Sequence, residues 1–367
     1  MLKHFPYILC SILFAQCYYL SAQQTDYPIY TSIKYGNGFI LPHHPEMKTI
    51  IIGHPSFYEL DLAFSTFGKY EWQRRYNYLK IGLLTSAIDY KNAAVIGKSF
   101  QSCGYIAFPL IKTPRHLVYA KTAWGIAYIT KVFNHQNNYK NNVIGTHFNI
   151  ATQAILQYQL RLTPRFSWNG NLNFYHISNG AIKNPNNGFN ILAASTGITY
   201  ELGNSMPLLE QDSIFPPYDP FWESEIRMFL GAKEVYPIES GKNIAGSIGY
   251  SMTRNLNYKS AVQFGVELFY NGGNVKTILN DYPNVSKLSA AQLGIPVGYI
   301  LKIDRFSAGI FLGIYAYDKY LISGRFYNRL GMQYRFKNNL KIYYYLKTHK
   351  TTADYLEFGL GYNFRKK

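Results

Sequence analysis

Three cysteines in 367 residues leave no disulfide framework. Cys10 and Cys17 fall in the first 22 residues, a stretch read as a leader, and Cys103 stands alone beyond it. Covalent cross-links therefore cannot hold the fold, and strand pairing must. Long apolar runs are missing too: past residue 22 nothing reaches the roughly 20 residues that a membrane-spanning helix requires. Acidic residues are scarce, 20 against 37 basic ones, which gives a formal charge of +17. Phosphate-binding glycine loops, dinucleotide fingerprints, zinc spacings and nucleic-acid motifs are also lacking. These gaps remove the disulfide-stapled, helical-membrane and nucleotide-binding classes.

What the chain does have is aromatic residues, 35 Tyr and 24 Phe among them. Abundant Tyr without helix-length apolar runs fits an outer-membrane β-barrel, whose rims carry aromatic girdles. The N-terminus fits export. Lys3 and His4 make a basic start, an apolar run follows from about Tyr7 to Phe14, and Leu20-Ser21-Ala22 offers a small-residue cleavage site. That run is short for an uncleaved anchor, and Gln16 before Cys17 argues against a lipoprotein. Residues 1–22 are therefore expected to be a cleaved signal peptide. Export turns the basic charge away from nucleic acid and toward a membrane surface, where the phosphates of lipopolysaccharide are the anionic partner expected. Nothing speaks to oligomeric state.

Period-two alternation recurs along the chain. Over 146–160 Phe148, Ile150, Leu156 and Tyr158 alternate with His147, Asn149, Gln153, Gln157 and Gln159. An apolar face backed by an amide-rich face suits a strand between lipid and a polar lumen. Similar segments lie near 28–40, 57–67, 77–89, 99–110, 117–131, 165–178 and 188–202. After a proline-rich connector at 204–220, a second series runs near 221–233, 243–254, 258–271, 289–302, 305–317, 325–337, 339–348 and 353–364. The expected layout is a barrel half at 23–203, the connector, and a second strand set at 221–367. The fold class is all-β, an antiparallel transmembrane barrel. One barrel of about 12–16 strands is favoured over two tandem eight-stranded barrels, because unpaired strands in lipid are costly. The halves echo one another: Asn173-Phe174-Tyr175-His176 has a counterpart in Tyr343-Tyr344-Tyr345-Leu346.

Chemistry concentrates in Phe-Tyr-His-Ile-Ser-Asn-Gly-Ala-Ile-Lys-Asn-Pro-Asn-Asn-Gly-Phe-Asn, residues 174–190. In 165–178 Trp168, Leu172 and Phe174 share a parity with His176 and Ser178, whereas Asn169, Asn171 and Asn173 take the other. By the lipid-out rule His176 and Ser178 face outward, and Asn190 on the returning strand does the same. An imidazole beside a hydroxyl is the minimal kit for acyl transfer. Polar side chains against hydrocarbon are expensive unless they act on something there.

His-x-Ser-Asn-Gly followed by Pro-Asn-x-Gly resembles the lipid A 3-O-deacylase (PagL) family of outer-membrane barrels, relatives of which are called acyloxyacyl hydrolases. The resemblance covers 27–203. It implies an outer-membrane serine esterase that removes an ester-linked acyl chain from lipid A without a cofactor or metal. Ser178 would be the nucleophile and His176 its general base, with Asn179, Gly180 and Asn186 forming the oxyanion hole. One position departs, because the family has Glu where this chain has Asn190. An amide can orient the imidazole but supplies no countercharge. The competing reading is a non-catalytic barrel for transport or envelope structure. His43-His44 near Glu46 reads as a solvated pair rather than a metal site. His147 reads as a bonded interior residue. Lys347-Thr348-His349 with Asp354 and Glu357 reads as a polar loop end. Lys131, Lys140 and Lys183 read as solvated lysines within reach of lipid phosphates.

Overall fold

The computed structural model describes residues 28–202, 215, 217–350 and 352–364. The expected signal peptide and most of the connector lie outside the described residues.

Among the described residues sixteen antiparallel strands fall in two sets of eight. The first comprises β1 Ile29–Ile40, β2 Ser56–Ser65, β3 Lys80–Asp89, β4 Lys98–Lys112, β5 His116–Ile129, β6 Phe148–Arg161, β7 Phe166–Ser178 and β8 Phe189–Leu202. The second comprises β9 Phe221–Glu234, β10 Lys242–Asn255, β11 Ser260–Asn271, β12 Gln292–Ile303, β13 Phe306–Asp318, β14 Phe326–Arg335, β15 Leu340–His349 and β16 Thr352–Phe364. In each set the last strand pairs with the first. Ile33 of β1 lies opposite Ile198 of β8, and Leu230 of β9 lies opposite Phe358 of β16. Each half is thus a closed eight-stranded barrel, and the chain takes the tandem alternative instead of one larger barrel. Closure within each half pairs both outermost strands, so no open edge is left to recruit the other half.

The alternation seen in the sequence becomes an outer and an inner face. On β11 Phe264, Val266, Leu268 and Tyr270 are exposed while Gln263, Glu267 and Asn271 are buried. Exposed apolar side chains between buried polar ones give a wall suited to hydrocarbon. Among the described residues no helix is long and apolar enough to cross a membrane. Two short helices, α1 Glu71–Arg75 and α2 Gly272–Asp281, sit in connections. α2 is started by Asn271, whose side chain accepts from the backbone amides of Gly273 and Asn274.

Both interiors are filled with paired polar groups. In the first barrel Lys34 Nζ reaches Glu59 at 2.7 Å and Asp61 at 3.1 Å, and Lys121 Nζ reaches Asp61 at 2.8 Å. Tyr105 also donates to Asp61, at 2.6 Å. The second barrel carries Arg329 between Glu267 at 2.9 Å and Glu357 at 2.6 Å. Lys341 and Tyr343 both reach Glu225, at 2.6 and 2.9 Å. Charges this deep persist because partners replace the lost water.

Described residues group into two compact units. The unit built on β9–β16 also takes in the connections 133–146 and 178–188.

Candidate active site on the β7–β8 hairpin

β7 holds its alternation almost to its end. Trp168, Leu172 and Phe174 are exposed, Asn169, Asn171, Asn173 and Tyr175 are buried, and His176 follows on the outward parity, half-buried. The register places His176 opposite Asn190. Their side chains meet, with His176 Nδ1 2.6 Å from Asn190 Oδ1. A carboxamide oxygen only accepts, so Nδ1 carries the proton and Nε2 is the basic nitrogen. The other end of the amide fits this assignment: Asn190 Nδ2 lies 3.3 Å from His43 Nδ1 and donates to it.

The flanking residues are fixed from inside. Tyr175, just before His176, packs edge-on against Phe57 with centroids 5.2 Å apart. Phe189, just before Asn190, stacks on Tyr90 at 4.7 Å. Tyr90 lies in the β3–β4 connection and donates to Ser99 Oγ at 2.9 Å. Burial pushes its phenol well above the ordinary value, so it stays a neutral donor. Locked neighbours leave the His–Asn pair little freedom to drift along the hairpin.

Ser178 ends β7 and is buried at 6% exposure. The loop after it turns sharply, through two successive left-handed residues, Gly180 at φ 64° and Ala181 at φ 65°. Asn179 and Asn186 tie it across: the Asn179 amide donates to Asn186 Oδ1 at 2.8 Å, and Asn179 Nδ2 donates to Lys183 O at 2.7 Å. The other connection in this unit supports the far limb, with the Gly188 amide donating to Val143 O at 3.1 Å and Asn187 Nδ2 to Asn142 O at 2.9 Å.

The structure therefore brings His176 and Asn190 into contact, and separately brings Asn179 to Asn186. Two participants escaped the sequence reading. His43, set aside there as part of a solvated turn, abuts Asn190. Glu234, at the end of β9, accepts from the Asn184 amide at 2.5 Å. No spacing signal leads to either. Elsewhere, His147 Nδ1 bonds Ile129 O at 2.7 Å. Lys347 pairs with Asp354 at 2.8 Å, and His349 lies beside Tyr315 OH at 3.0 Å, so this cluster turns to the barrel interior. Lys183 stands 3.9 Å from Glu239. Among the described residues no group of three or more His, Cys, Asp or Glu is placed to hold a metal.

Two family models match the chain. One, described as lipid A 3-O-deacylase (PagL), matches residues 57–199. The other, the acyloxyacyl hydrolase C-terminal domain of the same family, matches 222–366. No curated protein matches. Among solved structures, that of the outer membrane enzyme PagL is 13% identical, with 47% of this chain and 99% of that one covered and a TM-score of 0.32. Neisserial surface protein A is 9% identical over 47% of this chain and 96% of its own, at a TM-score of 0.30. OccK11 of Pseudomonas aeruginosa is 11% identical over 92% of this chain and 95% of its own, at 0.22.

Proposed function

The chain belongs to the lipid A 3-O-deacylase (PagL) family, and on that premise we propose that it is an outer-membrane serine esterase that cleaves an ester-linked acyl chain from lipid A. The observation that carries the reading is the His176–Asn190 pair, held at 2.6 Å on the outward parity of β7, two residues before a serine. Neutral His176 keeps its proton on Nδ1, against Asn190, and offers Nε2 as the base.

In this mechanism Nε2 takes the proton of Ser178 Oγ as the oxygen attacks the ester carbonyl of an acyl chain presented from the outer leaflet. The carbonyl π pair moves to oxygen, and the tetrahedral intermediate carries the negative charge. Because the Asn179 amide is committed to Asn186, the donors proposed for that oxyanion are the Gly180 N–H and Asn186 Nδ2. Collapse breaks the ester C–O bond, and His176 returns its proton to the departing sugar or hydroxyacyl oxygen. A water, deprotonated by the same nitrogen, then attacks the acyl carbonyl; the Ser178 Oγ–C bond breaks, the fatty acid leaves, and His176 returns the proton to Ser178 Oγ. Asn190 keeps the ring oriented without neutralising the imidazolium, so turnover is slower than with a carboxylate.

The transport reading is opposed by the interiors. Arg227, Arg329, Lys34 and Tyr175 are among the largest fully buried side chains, and they occupy space that a pore would need. The test is mass spectrometry of lipid A from cells carrying the wild type or Ser178→Ala. Loss of one acyl mass with the wild type and its retention with Ser178→Ala is expected. An acyl loss that persists in Ser178→Ala overturns the assignment.

A further inference from the structure

We propose that Glu234 is a positioning residue for the oxyanion loop 178–188, and that this is what the second strand set contributes to the reaction. The inference rests on the esterase reading for its kinetic part. Its structural part stands on the contacts alone. Glu234 ends β9 and is 7% exposed. It meets the loop through three hydrogen bonds. Its carboxylate accepts from the Asn184 amide at 2.5 Å, its carbonyl accepts from Asn184 Nδ2 at 3.2 Å, and its own amide donates to Ala181 O at 3.0 Å. One residue thus grips the loop on both sides of Ile182-Lys183. The first of these bonds is charge-assisted, the stronger kind.

A second contact lies under the turn itself. On β16 the outward parity runs Leu356, Phe358, Leu360, Tyr362. The last three are 62%, 52% and 49% exposed, yet Leu356 is 6% exposed. Gly180 lies directly against it: a Cβ built there would stand 2.4 Å from Leu356 Cγ. Glycine at this position therefore satisfies both a positive φ and a close approach. Asn179 and Asn186 close the loop from within, while Glu234 and Leu356 fix it from outside. An oxyanion donor displaced by a fraction of an ångström loses much of its effect, so anchors of this kind act on kcat more than on substrate binding.

The experiment uses the full-length protein in detergent, with acyl release from lipid A and amide hydrogen exchange as separate readouts. Glu234→Ala should lower kcat by about 10- to 100-fold with KM changed little, and should speed exchange at Asn184. Glu234→Gln keeps an acceptor oxygen and should restore most of both. Leu356→Ala leaves the carboxylate alone and should lower kcat in the same direction, so a poorly assembling Glu234→Ala does not end the test. Wild-type kcat and unchanged exchange in Glu234→Ala overturn the inference. If the wild type releases no acyl chain, the esterase reading fails, and the exchange at Asn184 still decides whether Glu234 holds the loop.

Discussion

The two barrels have the same strand count and the same closure, and they differ where it matters for chemistry. On β7 and β8 the outward pair at the hairpin end is His176 opposite Asn190; on β15 and β16 the matching pair is Leu346 opposite Leu356. Two residues further on, Ser178 corresponds to Thr348, so a hydroxyl is present in both. The connection differs as well, 179–188 in the first and 350–351 in the second. A barrel wall with an apolar pair at this position has no base there, and a two-residue connection is too short to serve as a donor loop. The fold alone therefore does not make the proposed site. The proposal rests on two outward polar residues and one long connection, and the second barrel shows the same wall without them.

That contrast is broken most severely by making the first barrel resemble the second. His176→Leu with Asn190→Leu should cut acyl release at least about a thousandfold, since it removes the base as well as its orienting partner. Both positions lie on the outward parity, so the variant should still show heat-modifiable migration as an assembled barrel. Retained activity would mean that the proton goes elsewhere. The double variant should be hardly worse than His176→Leu alone, because the pair acts as a unit.

The interiors allow a second separation. The second barrel relies on guanidinium forks: Arg329 donates twice to Glu267, at 2.9 and 3.0 Å, and Ser247 adds a bond at 2.6 Å. Removing the acid takes a carboxylate from each of two buried guanidinium groups, and leaves Arg329 with Glu357 and Arg227 with Gln263. Glu267→Ala should therefore destabilise the second barrel by about 3–5 kcal/mol. Trp222 lies on β9, and the other three tryptophans, Trp72, Trp124 and Trp168, precede β8. Denaturant unfolding in a chain with Trp222 as its single tryptophan should show the loss. A chain that keeps the other three should show little of it. Equal shifts in both would mean that the barrels unfold as one.

How much of this was legible in the sequence follows from the range of each interaction. Alternation along β7 is local, and it put Asn169, Asn171 and Asn173 inside and Leu172 and Phe174 outside. The His176–Asn190 meeting needs only one hairpin, and it too was readable. Closure was not. Whether β8 turns back to β1 or continues to β9 depends on pairing between strands more than 150 positions apart, as in Ile33 with Ile198. Binary patterning is the same in either case. His43 and Asn190 are 147 positions apart, and Asn184 and Glu234 are 50 apart. Neither residue belongs to a motif, so only the folded chain puts it at the site. The Lys347–His349–Asp354 cluster reads in the sequence as a polar loop end, and what local pattern could not give is its direction: β15 and β16 turn it inward against Tyr315.

The smallest expected effect is the most informative about the first barrel. Asn190 accepts from His176 and donates to His43, so the amide sits between two imidazoles. Asn190→Glu keeps an acceptor for the Nδ1 proton of His176 and adds the negative charge that stabilises imidazolium in the transition state. It also exchanges the donor facing His43 Nδ1 for an acceptor, which a neutral His43 meets by moving its own proton to Nδ1. The gain at His176 is therefore partly offset by rearrangement at His43, and a rise of a few-fold in kcat with KM unchanged is expected, on the order of 1 kcal/mol in the barrier. Asn190→Ala should fall below the wild type, because the ring loses its orienting partner. His43→Ala should lower the wild-type rate slightly while enlarging the gain from Asn190→Glu, since it removes the second imidazole that shares the new carboxylate with His176. A gain in Asn190→Glu that is the same with and without His43 would show that His43 has no part in setting the amide. A fall in Asn190→Glu below Asn190→Ala would show that this hairpin end has been rebuilt around the amide and no longer accommodates an acid.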